Sequence, residues 1–497
     1  MTAVTLGFEV HQPFRVRDDF FWNNKAFRKL DDGFEALFEH YFSPRNSEVF
    51  KKVASKCYYP ANKILLENID RHKREDKRFK VSFSLSGIFL EQCERFEKDL
   101  LETFVQLGET GCVEFLDQTY HHSLFSLHDD PALFIEDVLR HNAAMKDLLG
   151  FDPKVFENTE FLYNNKIASI AEDLGYKGIF TEGLERITNG GSPNFVYKAR
   201  AHGIRVLLRN YKLTDDVGFR FSSRGWEEHP LTADKYSSWL ASTAGDCINL
   251  FMDYETFGEH HWKETGIFEF LRFLPGEVLK WQHMEFATPS EVIERFTPVG
   301  EVDSYELGCT VSWADLERDT SCWLGNSMQW AAYTYHKKLR PRISDPELLK
   351  AWGYLSTSDH LYYMFTSGGG PGEVHSYFSP FENPNNAFLN YLAVLFDLDS
   401  RIRGGVGQAN DPFIFSNESG VILGAAFGKH DFIESVKRVN VESLRFHLDR
   451  GDFENWVRNS LKDTGLALGL RNLNHKKLGE RELRDRLAAL FSKSLKK

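Results

Sequence analysis

Acidic and polar side chains follow four of the predicted strands, at the point where each strand ends. They are His11, Gln12 and Pro13, then His121 and His122, then Glu160, and finally Asp253 with Glu255. Parallel strands closed into a barrel carry their chemistry at the carboxyl ends, so these groups would share one rim. Two carboxylates from different strands can serve glycoside hydrolysis, one as nucleophile or base and the other as acid. The alternatives are a metal site and a set of acidic, solvated turns.

The stretch 249–260 shows this arrangement most clearly. Apolar residues up to Met252 predict a buried strand, and Asp253, Glu255 and Gly258 follow it at once. A strand that runs directly into an acidic loop is the expected setting for catalytic acids in a barrel.

Strands alternate with helices over the first 300 residues. The predicted strands cover residues 3–10, 79–86, 112–116, 154–158, 178–182, 204–208 and 247–252. A helix over 132–149 is signalled by Asp130 as a cap, Pro131 at its first position and Gly150 at its end. This alternation predicts a parallel α/β barrel, closed or incomplete. The stretches 209–246 and 297–320 are expected to be connecting loops near the site.

The remainder of the chain has a different pattern. Residues 320–403 have helical periodicity, interrupted by a glycine-rich loop at 368–372, and a second glycine-rich run at 404–408 predicts a linker. The tail, 411–497, predicts two short strands and then helices, with Trp456 and His447 in its core. We therefore expect three domains: a catalytic barrel over 1–300, a helical bundle completing the active site over 301–405, and a small domain of unknown role over 406–497.

Composition narrows the classes of partner. The 497 residues carry a net charge of -12 with no basic stripe, which argues against nucleic acid and anionic membranes. No leader sequence and no membrane-spanning run is evident, and the six cysteines show no C-x-x-C pairing, so a cytoplasmic protein with reduced thiols is expected. Aromatic residues reach 14%, which suits a core and also suits stacking against sugar rings.

Five segments resemble, in order, the five sequence regions of glycoside hydrolase family 57. They are His11-Gln12-Pro13, the segment 114–123, Asn158-Thr159-Glu160, the segment 253–258 and the segment 287–291. The resemblance spans residues 1 to about 400, and the segments 312–326 and 358–360 are similar to the α-amylase-like members. It implies an α/β fold, an incomplete (β/α)7 barrel followed by a helical bundle and a small C-terminal α+β domain. It also implies retaining activity on α-glucans, without cofactor or metal.

The resemblance assigns roles residue by residue. Glu160 would be the nucleophile and Asp253 the general acid/base, with carboxyl groups roughly 5–5.5 Å apart as in retaining enzymes. The implied substrate-binding residues are His11, Gln12, His122, Glu255, Trp313, Asp359 and His360. His11 and His122 would hydrogen-bond the sugar, and Asp359 with His360 would close the site from the bundle.

Two positions depart from the family's pattern. Many relatives have His-x-His-Gln-Pro, whereas this chain has Glu9 at the first histidine position. Many also have Trp-x-Pro-Glu before the nucleophile, where this chain has Glu157-Asn158-Thr159-Glu160. The first departure bears on the detail of the sugar subsite and the second on the choice of Glu160.

Three other functions remain open at this point. One is a 4-α-glucanotransferase on the same fold, since the sequence does not tell whether water or a sugar hydroxyl accepts the glycosyl group. Another is a metal-dependent polysaccharide deacetylase, with His121, His122 and Asp253 as ligands. The third is a glucan-binding protein without activity. Chain-length preference and oligomeric state are not indicated.

Overall fold

The computed structural model describes residues 1–497 except 29, 32, 74–76, 201, 306–308, 368–378, 404–407, 475–477 and 496–497. The predicted glycine-rich loop at 368–372 and nearly all of the predicted linker, including the expected boundary at 405/406, lie outside the described residues. The chain divides into two compact units, each built from three non-consecutive segments. Unit 1 comprises Met1–Arg15, Pro44–Trp330 and Ser356–Ser379, and unit 2 comprises Val16–Ser43, Ala331–Leu355 and Pro380–Lys497. The partition into three consecutive domains stays a prediction.

The strands of unit 1 form one mostly parallel sheet. In chain order they are β1 (Thr2–Val10), β2 (Val81–Leu85), β3 (Val113–Leu116), β4 (Val155–Phe156), β5 (Gly178–Glu182), β6 (Tyr197–Ala199), β7 (Arg205–Arg209), β8 (Cys247–Asp253), β9 (Met284–Phe286) and β10 (Glu301–Val302). Seven of them pair in parallel around a ring in the order β1-β2-β3-β4-β5-β7-β8, and β8 returns to β1.

Two seams of this ring are thin. A single bridge, Asp117 to Phe156, joins β3 to β4, and a single register pair, Arg209 with Asn249, joins β7 to β8. The β1–β8 seam is long by comparison, running from Ala3 opposite Cys247 to Glu9 opposite Asp253. The predicted (β/α)7 barrel is therefore confirmed.

The helices lie between and after these strands. They are α1 (Phe34–Tyr41), α2 (Asn46–Val53), α3 (Tyr59–Arg71), α4 (Gly87–Phe96), α5 (Lys98–Glu109), α6 (Ala132–Leu149), α7 (Asn165–Asp173), α8 (Glu185–Thr188), α9 (Tyr211–Gly218), α10 (Ala233–Ser242), α11 (Ile267–Leu279), α12 (Pro289–Arg295), α13 (Ser321–Leu324), α14 (Ser327–Leu339), α15 (Pro346–Tyr354), α16 (Asp359–Tyr362), α17 (Pro384–Ile402), α18 (Lys429–Arg438), α19 (Val441–Asp449), α20 (Asp452–Asn459), α21 (Thr464–Asn474) and α22 (Glu480–Leu495). A π-helical turn, Ala54–Tyr58, joins α2 to α3.

The two faces of β1 pack into different cores because successive side chains of a strand point to opposite sides. Val4, Leu6, Phe8 and Val10 join the outer core beneath the helices, whereas Ala3 belongs to the barrel interior with Phe161, Phe180 and Phe251. Gly7 also faces inward, where a Cβ atom would approach the Phe251 ring to 2.2 Å. The barrel is thus filled by aromatic rings below its rim.

One expectation about loops is wrong. The stretch 209–246, expected to be a connecting loop, contains α9 and α10. The side chain of Asn210 caps α9 by accepting a hydrogen bond from the Leu213 amide, and Tyr236 and Leu240 of α10 are buried in the outer core. A short capped helix followed by a polar turn gives too few apolar repeats to reveal a helical period.

Unit 2 joins bundle helices to the tail. The tail pairs β11 (Gln408–Ser416) with β12 (Ile422–Gly428) in antiparallel fashion and covers them with α18 to α22, as the predicted α+β domain requires. Trp456 and His447 are buried in the tail, and Trp456 belongs to its apolar core. Within unit 2 the ring of Phe427 packs against Phe27 and Phe396, with ring centroids 5.2 and 5.3 Å away.

Two sequence expectations concern the cell compartment. Five of the six cysteines are buried, Cys309 is exposed, and all six are free. Over the described residues, none of the helices combines the length and apolar character needed to cross a bilayer. The cytoplasmic location stays a prediction.

Candidate active site

A cavity of about 190 Å³ opens at the carboxyl ends of the barrel strands, and we call it the barrel cavity. Among its lining residues are eight of the nine predicted site residues: His11, Gln12, His122, Glu160, Asp253, Glu255, Trp313 and Asp359. The rule that polar groups at parallel strand ends share one rim is thus realised here. The ninth, His360, is buried but is not among the lining residues.

Glu160 follows β4 on a strained backbone. Both Glu160 (φ 59°) and Phe161 (φ 58°) adopt the left-handed conformation, which non-glycine residues rarely occupy and which costs about 1–3 kcal/mol per residue. The Glu160 carbonyl accepts hydrogen bonds from the Ser312 hydroxyl (2.8 Å) and the Trp313 amide (3.3 Å). The Phe161 ring stacks on Trp313 with centroids 4.7 Å apart. These contacts hold a turn that presents the Glu160 side chain to the barrel cavity.

The carboxyl group of Glu160 is surrounded by donors. The indole Nε1 of Trp313 donates to Oε2 at 2.8 Å, and the Ser358 hydroxyl donates to Oε1 at 3.5 Å. Nε2 of His122 lies 3.4 Å from Oε1. The side chain remains 22% exposed, so a ligand in the cavity can reach it.

Asp253 ends β8 and has a different environment. Burial raises the pKa of Asp253 to about 7, and the negative charge of Glu160 adds to this effect. The positive charge of Arg209 acts in the opposite direction. Asp253 therefore holds a proton in a substantial fraction of molecules at neutral pH, which a general acid requires.

Two stacked imidazole rings form one wall of the cavity. His11 and His122 have ring centroids 4.0 Å apart and an interplanar angle of 16°. His11 contacts the Ser86 hydroxyl through Nδ1 (2.7 Å) and Asp359 through Nε2 (3.0 Å). Burial, with the neighbouring His122, lowers the pKa of His11 to about 4, so its ring is neutral at pH 7. Asp359 thus acts as an orienting partner of His11 as well as a lining residue.

Glu255 takes part in a separate buried network. Its Oε1 accepts hydrogen bonds from the Tyr58 hydroxyl and from Nε2 of Gln12, the latter at 3.3 Å. Arg15 in turn donates to Oε1 of Gln12 at 3.0 Å. Burial and the nearby Asp253 raise the pKa of Glu255 to about 8. Glu255 is therefore a mostly neutral acid that anchors the wall beside Asp253.

The two departures from the family's pattern have structural explanations. Glu157 is fully buried, accepts a hydrogen bond from Ser84 (2.8 Å) and does not line the cavity, so Glu160 is the glutamate of this segment that faces it. Glu9 does line the cavity, and its Oε1 lies 3.3 Å from Nδ1 of His122. Burial and the charges of Glu157 and Glu160 raise the pKa of Glu9 well above its usual range, which favours its neutral form.

His121 points away from the barrel cavity. Its Nδ1 lies 2.5 Å from the Asp137 carboxylate, and Nε2 lies 3.5 Å from the Arg140 guanidinium. Within the described ranges, no three His, Cys, Asp or Glu side chains are grouped as a metal site would require. The residues named for the deacetylase alternative are therefore not assembled as one ligand set.

Arg209, Phe219 and Tyr362 are among the lining residues that sequence reasoning missed. Arg209 ends β7 and donates to Glu182 (2.9 Å), Asp215 (2.8 Å) and the Phe251 carbonyl (2.7 Å), which fixes its charge beside Asp253. Arg209 directly follows the predicted strand 204–208, so the strand-end rule also points to it. Phe219 and Tyr362 also line the cavity. Neither stands out in the sequence, because aromatic residues at helical spacing usually indicate core.

Comparisons with known proteins agree with this geometry. The model of Glycosyl hydrolase family 57 matches residues 5–304. A Methanocaldococcus jannaschii protein named "Putative alpha-amylase" is 47% identical over 412 residues, which cover 80% of this chain and 85% of that protein.

Solved structures share the fold at low sequence identity. The 4-α-glucanotransferase of Thermococcus litoralis superposes with a TM-score of 0.57 and 16% identity, covering 89% of this chain and 68% of that one. A family 57 branching enzyme of Thermococcus kodakaraensis gives a TM-score of 0.55 and 13% identity, covering 81% and 90%. With the family model and the 47% identical relative, these findings show that the chain belongs to glycosyl hydrolase family 57 and is a glycoside hydrolase.

Proposed function

We propose that the protein cleaves α-1,4-glucosidic bonds of starch, glycogen or maltooligosaccharides with retention of configuration. Glu160 is the nucleophile and Asp253 the general acid/base. The printed name of the 47% identical relative supports an α-glucan as the substrate class. The roles of the two carboxyl groups rest on their surroundings in the barrel cavity.

The observation that carries the assignment is the contrast between these two groups. Asp253 is buried with a pKa of about 7, whereas Glu160 is partly exposed and accepts hydrogen bonds from Trp313 and Ser358. A buried carboxyl group with a raised pKa is suited to hold the proton of the acid, which leaves the partly exposed Glu160 for the nucleophile. The reverse assignment would require the buried Asp253 to act as the ionised nucleophile.

The proposed reaction has two steps. In the first, the Glu160 carboxylate attacks the anomeric carbon, and Asp253 gives its proton to the departing glycosidic oxygen. The products are a glycosyl ester on Glu160 and a sugar with a free hydroxyl group. In the second step the Asp253 carboxylate takes a proton from water, and the resulting hydroxide attacks the anomeric carbon and releases Glu160.

The surrounding residues suit a pyranose ring. His11, whose two ring nitrogens contact Ser86 and Asp359, lines the cavity, and so does His122, whose Nε2 lies 3.4 Å from the Glu160 carboxyl group. Trp313 and Tyr362 offer aromatic surface in the same cavity. Gln12 and Glu255 stiffen the wall through their mutual hydrogen bond at 3.3 Å. We therefore propose His11, Gln12, His122, Glu255, Trp313 and Asp359 as substrate-binding residues.

The direct test is digestion of maltoheptaose, followed by chromatography and by proton NMR of the anomeric signals. Shorter maltooligosaccharides that appear first as the α-anomer support the proposal, whereas the β-anomer would show inversion and contradict it. Glu160→Gln should abolish turnover. The matched control is Glu157→Gln, in the same segment but outside the cavity lining, which should keep most of the activity if it folds.

The same digestion separates the other functions. Products longer than the substrate would show that a sugar hydroxyl displaces Glu160 faster than water does, which is the 4-α-glucanotransferase. Acetate released from an acetylated glycan, with maltoheptaose untouched and activity restored by a divalent ion after chelation, would identify a deacetylase. Binding of maltoheptaose without any product would leave a glucan-binding protein.

A further inference from the structure

A second cavity, of about 610 Å³, lies within unit 2, and we call it the bundle cavity. Its walls are formed by α14 and the turn after it, by the C-terminal part of α17 with Arg403, and by β12 and α18. Its lining residues are Tyr335, Lys338, Arg342, Phe396, Asp399, Arg403, Ala425, His430, Asp431, Glu434, Ser435 and Arg438. Its volume is in the range of small-molecule sites, roughly 300–1,000 Å³. None of these residues belongs to the barrel cavity.

Asp399 organises two guanidinium groups at this cavity. Its side chain is only 1% exposed, and it accepts a hydrogen bond from the Tyr335 hydroxyl at 2.8 Å. Nη2 of Arg342 lies 2.8 Å from Oδ1, and Arg403 pairs with the same carboxylate. Arg342 and Arg403 remain 41% and 27% exposed. One buried carboxylate thus fixes two partly exposed arginines in the cavity lining.

Positive charge predominates among the lining residues. Lys338 and Arg438 are exposed and add two cations to the two arginines that Asp399 fixes. Of the remaining carboxyl groups, Glu434 is already paired with Lys437 at 2.6 Å.

Asp431 is the remaining carboxyl group of the wall. Burial raises its pKa to about 7. The positive charge of Arg403 lowers this pKa, and the negative charges of Asp399 and Glu434 raise it. The other titratable or charged side chains of the cavity are Tyr335, Lys338 and Arg342 from the α14 side, and His430 and Arg438 from α18. The four lysine and arginine side chains of this lining outnumber its three carboxyl groups, and the raised pKa of Asp431 adds to the positive excess at neutral pH.

We propose that the bundle cavity binds an organic phosphate, with its phosphate group on the guanidinium groups and its ring beside Tyr335 and Phe396. Arginine forks match phosphate oxygens in pairs and form charge-assisted hydrogen bonds that are stronger than neutral ones. The edges of the two aromatic rings, packed with centroids 5.0 Å apart, give the cavity an apolar side. A bare anion would leave this side unused.

Anion binding in the bundle cavity is linked to protonation of Asp431. A bound anion next to Asp431 disfavours its ionised form, which raises the pKa of that carboxyl above about 7. Binding of an anion at neutral pH must therefore take up a fraction of a proton, and affinity must rise as the pH falls through 7. Sulfate suits this measurement because it does not titrate near neutral pH itself.

The first experiment measures the affinity of the full-length protein for inorganic phosphate and for phenyl phosphate by isothermal titration calorimetry at constant ionic strength. Phenyl phosphate should bind more tightly than inorganic phosphate, and phenol should not bind. Arg438→Gln should weaken both anions about tenfold, since one charge-assisted contact is worth about 1.4 kcal/mol or more.

Arg486→Gln is the matched control for charge. It removes one exposed arginine of α22, 46% exposed and paired with Glu482, so it changes the net charge equally. It should leave both affinities unchanged. If both variants weakened the affinity for anions equally, the binding would be explained by the net charge of the protein, and the proposed site would be contradicted.

The second experiment measures proton uptake with sulfate in two buffers of different ionisation enthalpy at pH 7. The protein should take up protons on binding, and Asp431→Asn, which keeps the shape of the side chain, should bind sulfate without uptake. Absence of sulfate and phosphate binding, or uptake unchanged in Asp431→Asn, would overturn the proposal. None of these measurements depends on glucan turnover, so they stand or fall apart from the proposed hydrolase.

Discussion

The barrel cavity and the bundle cavity each contain an aspartate whose pKa burial raises to about 7, Asp253 and Asp431. Their neighbours differ in sign. The negative charge of Glu160 raises the pKa of Asp253 further, and the positive charge of Arg209 lowers it. For Asp431 the largest effect of a neighbouring charge comes from Arg403, which lowers the pKa. A carboxyl group poised near neutral pH therefore does not by itself indicate catalysis. The group beside the aspartate differs: it is Glu160, the proposed nucleophile, in the barrel cavity, and the guanidinium groups of the proposed anion site in the bundle cavity.

The two cavities also differ in how the chain builds them. The barrel cavity collects side chains from the ends of parallel strands, which point to one rim whatever their separation in sequence. The bundle cavity is lined by side chains from helix faces and from a strand of the tail. The sequence of each of these segments, taken by itself, is typical of a solvent-exposed surface. The barrel cavity follows the general rule that parallel strands end at one rim. The bundle cavity depends on how particular helices pack.

The largest expected effect concerns the nucleophile of the barrel cavity. Glu160→Ala should lose several orders of magnitude in rate, each tenfold being about 1.4 kcal/mol of barrier. Azide should occupy the vacated space and attack an activated α-glucoside directly, giving the inverted β-glycosyl azide.

Asp253→Ala should give the opposite anomer. It keeps the first step for substrates with good leaving groups, which need no proton, and azide then intercepts the ester to give the α-glycosyl azide. NMR of the isolated azides distinguishes the two results. The same anomer from both variants would contradict the roles assigned to Glu160 and Asp253.

The next effect is the pH dependence of kcat/KM. Because Asp253 must be protonated to act as the acid, and its pKa is about 7, kcat/KM for maltooligosaccharides should fall about tenfold per pH unit above pH 7. An aryl glucoside with a good leaving group needs no proton, so its alkaline decline should be much weaker. An equal decline for both substrates would assign the titrating group elsewhere.

A smaller effect is expected when Glu160 loses a donor. Trp313→Phe removes the 2.8 Å hydrogen bond to Oε2 but keeps an aromatic ring on Phe161. A hydrogen bond to a charged group contributes about 1.5–3 kcal/mol, so kcat/KM should drop about tenfold or more. Trp262→Phe serves as control, because Trp262 is 57% exposed and outside the cavity lining. Steady-state kinetics that find the two variants alike would remove Trp313 from the site.

The smallest effect on turnover is expected from removal of the tail. Every proposed catalytic residue precedes residue 405, so truncation there should leave turnover per folded molecule nearly unchanged. Thermal stability should fall, because Phe27 and Phe396 lose their contact with Phe427. Phosphate binding should vanish with Asp431 and Arg438. A folded truncated protein without glucan turnover would show that the tail contributes to the barrel reaction.

Much of the barrel and its rim is readable from the sequence. Period-two and apolar runs place all seven ring strands within two residues at each end, although β4 is shortened from five expected residues to Val155–Phe156. Polar groups directly after strands identify His11, His122, Glu160 and Asp253. Arg209 also directly follows a predicted strand, 204–208, but it lies in the stretch 209–246 that was expected to be a connecting loop.

Other features depend on tertiary packing. His121 and His122 are adjacent in sequence and equally polar, yet one pairs with Asp137 on α6 and the other faces Glu160. Asp359 and His360 likewise separate, one into the cavity lining and the other outside it. A side chain's direction after a strand or helix end depends on backbone turns, such as the left-handed His122 (φ 50°), that the sequence does not reveal.

The sequence alone determined the barrel, because the alternation of buried strands with helices admits few other folds, and it determined which strand ends carry acids. Tertiary structure alone decided that the pKa of the Asp253 carboxyl group is raised. The pKa of Asp253 depends on burial and on charges from Glu160 and Arg209, which are distant in sequence and meet only when the ring closes. It also decided that distant helix faces form the bundle cavity, since no local pattern relates Arg342, Asp399 and Asp431.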